Sequence, residues 1–505
     1  MLLSKYTIII HILAFINSDG TKLDDTLADS CIIDPPFPAV VVETKSSTRS
    51  SPNPKSSANS ASGFSCRNVS GHAGIVTCSG QDSIPRGLPN ITWCLIMTYN
   101  AVRILNAAEL EYLKNLKVLL LDNCPLSQLN GNFSNLPLEY LSIKYTGYES
   151  VPDIRLPRLR RLDMAQSYLR KLGAEDLSRI SSQLQVVRLI GCWIHEIEKG
   201  TLGSLLNLYY LDLSGNNLTR VPNDIPNTLV ALNMLNNINM SVLDVHSSPF
   251  LPYLKEIAIS ATIVKAHAFR NFYFASNVLL QACYIETMAM ADLQFVFQFR
   301  IIPGCLYLNL QEGALAMMNP LQNFSFSGNL PTVPSFIFHG CNNLEMIKLD
   351  TVYILHLNSS AFEGLPSLHT LVMTNNFGQY VHTLNITDVF FNSDLRHLKF
   401  LDMSNFGIRS IEETAFLELV NVQSLNISSN HIESLSAGAI QPMVNLTSFQ
   451  IDNNIWNCDC HLKWLKNLTD TRPEMFPTLN HTICASPSHL RGKSFPRLNI
   501  KQFVC

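Results

Sequence analysis

Between Leu208 and Val221 the chain reads LYYLDLSGNNLTRV, with apolar residues at Leu208, Leu211, Leu213, Leu218 and Val221 and Asn216 among them. The alternation through Leu211 and Leu213 has the two-residue period of a strand, and the following turn residues end it. The pattern L-x-x-L-x-L-x-x-N-x-L returns as LKVLLLDNCPL from Leu116, LRRLDMAQSYL from Leu159 and LQVVRLIGCWI from Leu184. It returns again as LEMIKLDTVYI from Leu344, LKFLDMSNFGI from Leu398 and VQSLNISSNHI from Val422. Weaker copies begin near Thr92, Leu138, Leu229, Leu254, Ala275, Leu321, Leu368 and Leu446. The count is about sixteen units at a spacing of roughly 21 to 25 residues. Such a period predicts one array of stacked coils over 92–455. Residues Cys283 to Asn329 fit worst, and their spacing has room for one intervening unit. From Asn376 to Phe406 the spacing stretches, which predicts a loop insertion around Thr383 to Asn392.

Each L-x-L core is a short strand whose alternate side chains point into the coil. The residue in the place of Asn216 follows a tight turn, where an amide can satisfy both donors and acceptors of the buried backbone. Asn100, Asn216, Asn237, Asn329, Asn376, Asn430 and Asn454 hold that place, and Cys124, Cys192 and Cys283 hold it elsewhere. The three cysteines read as buried thiols. A single coil cannot bury its own apolar edge, so the coils must stack and both ends of the stack must be covered.

The stretch NNIWNCDCHLKWLKN, Asn453 to Asn467, follows the last repeat. Trp456 takes the next apolar slot. A helix from about Leu462 to Leu468 is expected to lay Leu462, Leu465 and Trp464 over the open end, fastened by Cys458, Cys460, Cys484 and Cys505. C-x-C lacks the C-x2-C spacing of zinc sites, so no metal is expected and His461 reads as a surface residue. Trp456 to Cys505, with its W-x-C-x-C-x-x-x-W-L run and two later cysteines, resembles the C-terminal cysteine-rich cap of extracellular leucine-rich-repeat proteins. At the other end IVTCSGQDSIPRGLPNIT, Ile75 to Thr92, resembles the tail of that family's N-terminal cap. The resemblance implies pairing of Cys458 with Cys484 and of Cys460 with Cys505. The tight cysteine cluster usual in the N-terminal cap is reduced here to Cys66. Cys66 with Cys78 is the leading pair there, and Cys31 and Cys94 compete for it. The implied fold is an α/β solenoid, a leucine-rich-repeat horseshoe with a parallel β-sheet on its concave face and disulfide-bonded end caps.

Composition sets the compartment. MLLSKYTIIIHILAFINS reads as a secretory signal peptide over 1–18, and 19–63 as a disordered Ser/Pro-rich arm, followed by an N-terminal cap at 64–91 and a C-terminal cap at 456–505. No later window is apolar enough to span a membrane. Thirteen cysteines suit an oxidising route, and the odd number leaves at least one unpaired or bonded to another chain. Twelve N-x-S/T sequons agree with that route: Asn68, Asn90, Asn132, Asn217, Asn239, Asn323, Asn358, Asn385, Asn426, Asn445, Asn467 and Asn480. A net charge of −3 gives no reason to expect nucleic acid.

Counting each unit from its first leucine, positions 3, 5, 7 and 8 leave the strand on the face opposite the core. In the early units this face collects Tyr99, Tyr140, Tyr145, Arg161, Asp163, Arg188, Tyr210 and Asp212, along with Ile96, Val118 and Leu120. Tyrosine and arginine dominate protein–protein hot spots, so these residues are the expected partner-binding site. Asp163, Arg188 and Asp212 fall in one column with alternating sign, at about 5 Å per strand. The later outward positions, Thr370, Thr374, Ser404, Ser424, Ser428 and Ser448 among them, are small and polar. Sequons Asn323 and Asn426 also fall on outward positions there, where a glycan blocks docking. The partner is therefore expected on the early half.

No G-x-S-x-G, H-E-x-x-H or phosphate loop occurs, and the fourteen histidines are scattered. The expectation is a secreted, non-enzymatic protein, without cofactor, that binds an extracellular protein or glycoconjugate. The alternative is the ectodomain of a cell-surface receptor or adhesion protein whose membrane anchor is absent from this chain.

Overall fold

A computed structural model describes Cys31 and residues 65–69, 71–358, 360–376, 384–387, 391 and 393–505. The expected signal peptide and, apart from Cys31, the Ser/Pro-rich arm lie outside the described residues. The chain divides into two units. The first holds Cys31, residues 65–147 and Ile154–Asp163; the second holds Tyr148–Asp153 and Met164–Cys505.

In the first unit β1 (Ser65–Asn68) and β2 (Ile75–Ser79) form an antiparallel hairpin in which Cys66 and Cys78 are register partners. They are also disulfide-bonded. β3 (Cys94–Ile96), β4 (Val118–Leu120), β5 (Tyr140–Ser142) and β6 (Arg161–Asp163) follow, each parallel to the strand before. Cys31 is bonded to Cys94. The leucines at positions 1, 4 and 6 point the other way and are buried, as Leu116, Leu119 and Leu121 show. Each such side chain contributes about 1.5–3 kcal/mol of burial.

The second unit repeats this plan. Its strands are β7 (Val186–Arg188), β8 (Tyr210–Asp212), β9 (Ala231–Met234), β10 (Glu256–Val264), β11 (Asn277–Ile285) and β12 (Gln298–Pro303). They continue with β13 (Asn323–Asn329), β14 (Met346–Tyr353), β15 (Thr370–Asn376), β16 (Phe400–Asp402), β17 (Ser424–Asn426) and β18 (Ser448–Gln450). All pair in parallel in chain order. β12 lies in the stretch where the repeat is weakest. Within the expected insertion, Leu384–Ile386 is a short strand parallel to Ile408–Ile411 and Phe391 is buried; Thr383, 388–390 and Asn392 lie outside the described residues.

A turn joins each strand to the next part of its coil, and its geometry recurs. Position 8 is left-handed at Tyr99, Asn123, Tyr145, Gln166, Gly191, Gly215, Asn236, Asn375, Asn405, Ser429 and Asn453, with φ between 51° and 68°. The reversal swings the next side chain into the coil. Asn216 there accepts from the N–H groups of Cys192 and Ile194 and donates to the carbonyls of Leu189 and Leu213. Asn430 accepts from Phe406, Gly407 and Ile408 and donates to Met403 and Ile427. Asn454 bonds to Ile432, Ile427 and Ile451 in the same way. Cys124 and Cys192 are free buried thiols, as expected, and donate to the carbonyls of Met97 and Met164.

Two expectations at this position need correction. Cys283 is not a free thiol; it is bonded to Cys305. Asn329 is not in a ladder turn; it ends β13 and donates to the Leu306 carbonyl at 2.6 Å. The reason is shared. β10 and β11 run nine residues, against three in β8, so strand continues through the place where the turn would form.

At the far end, a 3-10 turn (Cys460–Leu462) leads into a helix, Lys463–Thr471. Leu462, Leu465 and Trp456 are fully buried, and the Trp456 indole donates to the Ile451 carbonyl at 2.9 Å. Trp464 donates to Leu435. Cys458 is bonded to Cys484 and Cys460 to Cys505. Closed loops of this kind contribute roughly 2–4 kcal/mol each.

Two predictions follow from this bonding. Asn430→Ala removes the partner of six buried backbone groups, at roughly 1–3 kcal/mol for each left unmet. It is expected to lower unfolding free energy by at least about 3 kcal/mol, whereas Asn329→Ala should change it by less than about 0.5 kcal/mol, read by chemical denaturation. The free thiols are Cys124, Cys192 and Cys341. Burial raises the Cys124 thiol pKa and pushes that of Cys341 up to about 12, which suppresses the reactive thiolate. Native protein at pH 8 should resist iodoacetamide, and denaturation without reductant should expose three alkylatable cysteines.

Candidate functional site

The open face of the first unit is built from columns. Position 3 stacks Cys94, Val118, Tyr140 and Arg161 on successive strands, and position 5 stacks Ile96, Leu120, Ser142 and Asp163. Strands about 4.8 Å apart leave little room between such columns, so each residue covers its neighbour. Cys31 joins Cys94, Ile96, Val118, Leu120 and Tyr140 in one buried cluster. The Arg161 guanidinium lies 4.2 Å above the Tyr140 ring. Lys144 reaches Asp122 at 3.0 Å and Asp163 at 4.0 Å. Burial disfavours the Lys144 ammonium, but the two carboxylates outweigh it and raise its pKa. Burial likewise raises the Tyr140 phenol, against the opposing pull of Arg161.

This corrects the expected availability of the site. Tyr140 is 3% exposed, Arg161 8% and Asp163 1%. They lie on the predicted face, yet they spend their surfaces on one another and on Lys144. The same holds in the second unit, where Tyr210 and Asp212 are buried and Arg188, half-buried, stands 5.5 Å over the Tyr210 ring. Arg188 and Asp212 are register partners, as the charge column requires; Asp163, its third member, belongs to the first unit. Asp212 accepts from the Ser214 hydroxyl and the Asn233 amide. Burial and then Asp212 push the Tyr210 phenol up to about 12.

Two of the eight expected residues stay open. Tyr99 is 81% exposed and Tyr145 57% exposed. Both occupy position 8 and both have positive φ, 59° and 56°. Asn, Gly, Gln or Ser fills that left-handed position in most other coils, and Thr351 in one. A side chain with a bulky ring is disfavoured there by about 1–2 kcal/mol. Asn123 separates the two tyrosines along the strand edge.

The sequence reading missed a second exposed group. At the residue just before each repeat, Asn115, Asn343 and Asn421 donate to carbonyls of the preceding coil. In three successive coils that place is taken by Tyr253, Phe274 and Phe295, all exposed. Tyr273, Phe274 and Phe295 have ring centroids 5.1–5.6 Å apart. The signal was present as aromatic residues where other coils carry asparagine, but the core template leaves that position blank.

Of the sequon asparagines, Asn217, Asn323 and Asn426 are half-buried, and the other nine, Asn68 to Asn480, are exposed. Among the described residues, Cys460, His461 and Cys505 group closely enough to suggest a metal, but the two sulfurs are bonded to each other and cannot serve as thiolate ligands. No helix of the described residues is long and apolar enough to cross a membrane.

A leucine-rich-repeat family model matches residues 396–455, and one described as a BspA-type leucine-rich-repeat region matches 262–384 and 298–406. The chain is similar to trophoblast glycoprotein of Macaca fascicularis, 26% identical over 230 residues, 41% of this chain and 49% of that protein. It is similar to Toll-like receptor 9 of Mus musculus, 24% identical over 487 residues, 82% of this chain and 45% of that protein. The chain thus spans about half the length of these curated relatives. In structure it is similar to a chain of the glycosylated Toll–Spatzle complex of Drosophila, with a TM-score of 0.61 at 14% identity over 85% of this chain and 72% of that one; this shows the fold alone. Repeat pattern, family matches and parallel-sheet coils agree that this chain is a leucine-rich-repeat protein with disulfides near both ends of its repeat array.

Proposed function

We propose that the chain is a non-enzymatic binding protein that acts outside the cell and recognises a protein through the strand edge marked by Tyr99 and Tyr145. The carrying observation is the conformation of those two residues. Each holds a large ring in a backbone region that disfavours it, and each leaves the ring in water, so the strain returns nothing to the fold. Exposed tyrosine beside the paired charges of Asp122 and Lys144 offers an apolar body with polar neighbours, the make-up of an interface anchor. The ten disulfide-bonded cysteines and the sequons support an extracellular setting. A relative named as a receptor, Toll-like receptor 9, supports a role in recognition. Both a secreted protein and a receptor ectodomain satisfy this reading.

The flank aromatics Tyr253, Phe274 and Phe295 support a second docking surface. They rank below the tyrosine edge because the Phe274 and Phe295 rings already cover one another. Aromatic rings that pack together need no partner to explain them.

Replacing both tyrosines by asparagine separates strain from binding. Tyr99→Asn with Tyr145→Asn is expected to raise unfolding free energy by about 1 kcal/mol per position, because asparagine tolerates the left-handed turn. The same variant should lose cross-linking, at least tenfold, to the proteins that the wild-type chain captures on intact cells. Undiminished capture by the double variant, with loss on Phe274→Ser plus Phe295→Ser, would move the site to the flank.

A further inference from the structure

The open face of the second unit carries a depression of about 430 Å³ across β10–β14. The size is within the range of about 300–1,000 Å³ seen for small-ligand sites. Its polar lining includes Glu256, Asn277, Gln298, Arg300, Ser325 and Lys348. Register sets Arg300, Ser325 and Lys348 on three consecutive strands, so the two cations stand about 10 Å apart at the backbone, two strand spacings. Lys348 is already paired with Asp350 at 3.6 Å, which partly neutralises it and weakens the case for an anion held between the two cations. Burial raises the Glu256 carboxyl pKa, against a hydrogen bond from Asn277, so this group keeps its proton to higher pH than an ordinary glutamate. Carboxyl, amides, hydroxyl and guanidinium together offer a mixed set of donors and acceptors. Such a lining suits an uncharged ligand dense in hydroxyls, with Met346 and Leu279 available to its C–H faces.

The chain itself supplies such a ligand. Asn323 lines the same depression and opens the sequon Asn323-Phe324-Ser325. Its register neighbours are Gln298 on one side and Met346 on the other. A sugar joined to its amide begins inside the depression. Asn426, the other sequon on this face, lines no part of that depression, and its side-chain oxygen accepts from the Ser428 N–H at 3.0 Å.

We propose that Asn323 carries an N-linked glycan whose first two sugars are seated in this depression, hydrogen-bonded to Glu256, Asn277, Gln298 and Arg300. The glycan acts as a fixed plug. It closes the open face of β10–β14 to a protein partner and leaves the rest of the molecule to make contact. This goes beyond the tyrosine-edge reading and does not depend on it.

Glycopeptide mapping of protein secreted from animal cells should find Asn323 occupied. Peptide-N-glycosidase acting on native protein should release the Asn323 glycan at least tenfold more slowly than that of exposed Asn467, and at an equal rate once the chain is unfolded. Glu256→Ala with Arg300→Met should abolish that protection while thermal unfolding shows the fold retained. An unoccupied Asn323, or release as fast as at Asn467 in the native wild type, overturns the proposal. So does protection that survives the double substitution, since the seat would then not be made by these groups. A saccharide from a separate glycoconjugate would present the same hydroxyl chemistry. Binding of added chitobiose by the Asn323→Gln variant, with wild-type Asn323 unglycosylated, would assign the depression to that outside source and sink the self-glycan reading.

Discussion

The constraint on which this fold depends is the cost of burying backbone polar groups at a turn that every coil must make. Each strand has to leave the sheet and re-enter the stack, and the groups freed by that bend are covered by the next coil. A left-handed residue at position 8 followed by a side chain with both donor and acceptor answers this. Asn430 does so with six bonds, three accepted and three donated. The thiols of Cys124 and Cys192 make only the donation, to the carbonyl that the asparagine amide would meet one coil earlier. They work because a buried carbonyl needs a donor more than it needs a particular donor. The leucine spine supplies most of the stabilising free energy, but it is non-directional; the asparagine turn makes one coil register on the next.

Between Asn237 and Asn376 the fold solves the same problem by another route. Strands lengthen to as many as nine residues and their backbone groups pair with the neighbouring strand. Of these coils, the one from Leu344 keeps the left-handed position 8, at Thr351, and Val352 rather than asparagine follows it. Cys283, placed by sequence at the turn position, instead meets Cys305 and forms a bond. The longer strands also change the open face: more residues per coil contribute to it, and the depression lined by Glu256 and Arg300 lies across these strands.

The repeat period and the caps could be read from the sequence because they depend on local spacing. W-x-C-x-C and its two later cysteines specify a cover whose parts touch each other, and Leu462 and Leu465 are buried where the stretch places them. The face on which Tyr140, Arg161 and Asp163 lie was also legible, since strand alternation decides it. Their burial was not. It depends on what stands one coil away at the same position, and on Cys31, which arrives from far upstream to bond Cys94. Periodicity assigns a residue to a side of the sheet and says nothing about who covers it there. Cys283 escaped for a related reason: the template assumes a turn, and only pairing with the neighbouring strand shows that no turn forms. Tyr253, Phe274 and Phe295 escaped because they lie outside the positions the template counts.

The surfaces left for recognition follow from the same geometry. On the open face, well-formed ladders of short strands bring columns close enough for arginine to cover tyrosine and lysine to pair with aspartate, which removes those groups from water. Several of the groups that stay exposed lie where the chain departs from its own rule. Tyr99 and Tyr145 depart from it in residue type, since their turn favours asparagine or glycine. Tyr253 and Phe274 depart from it by replacing an asparagine that elsewhere ties two coils. The depression lies where the asparagine turn is absent. A solenoid whose interior chemistry is so repetitive can acquire a particular partner only at such departures, because a surface made by the rule alone would be the same on every coil and would specify no position along the array.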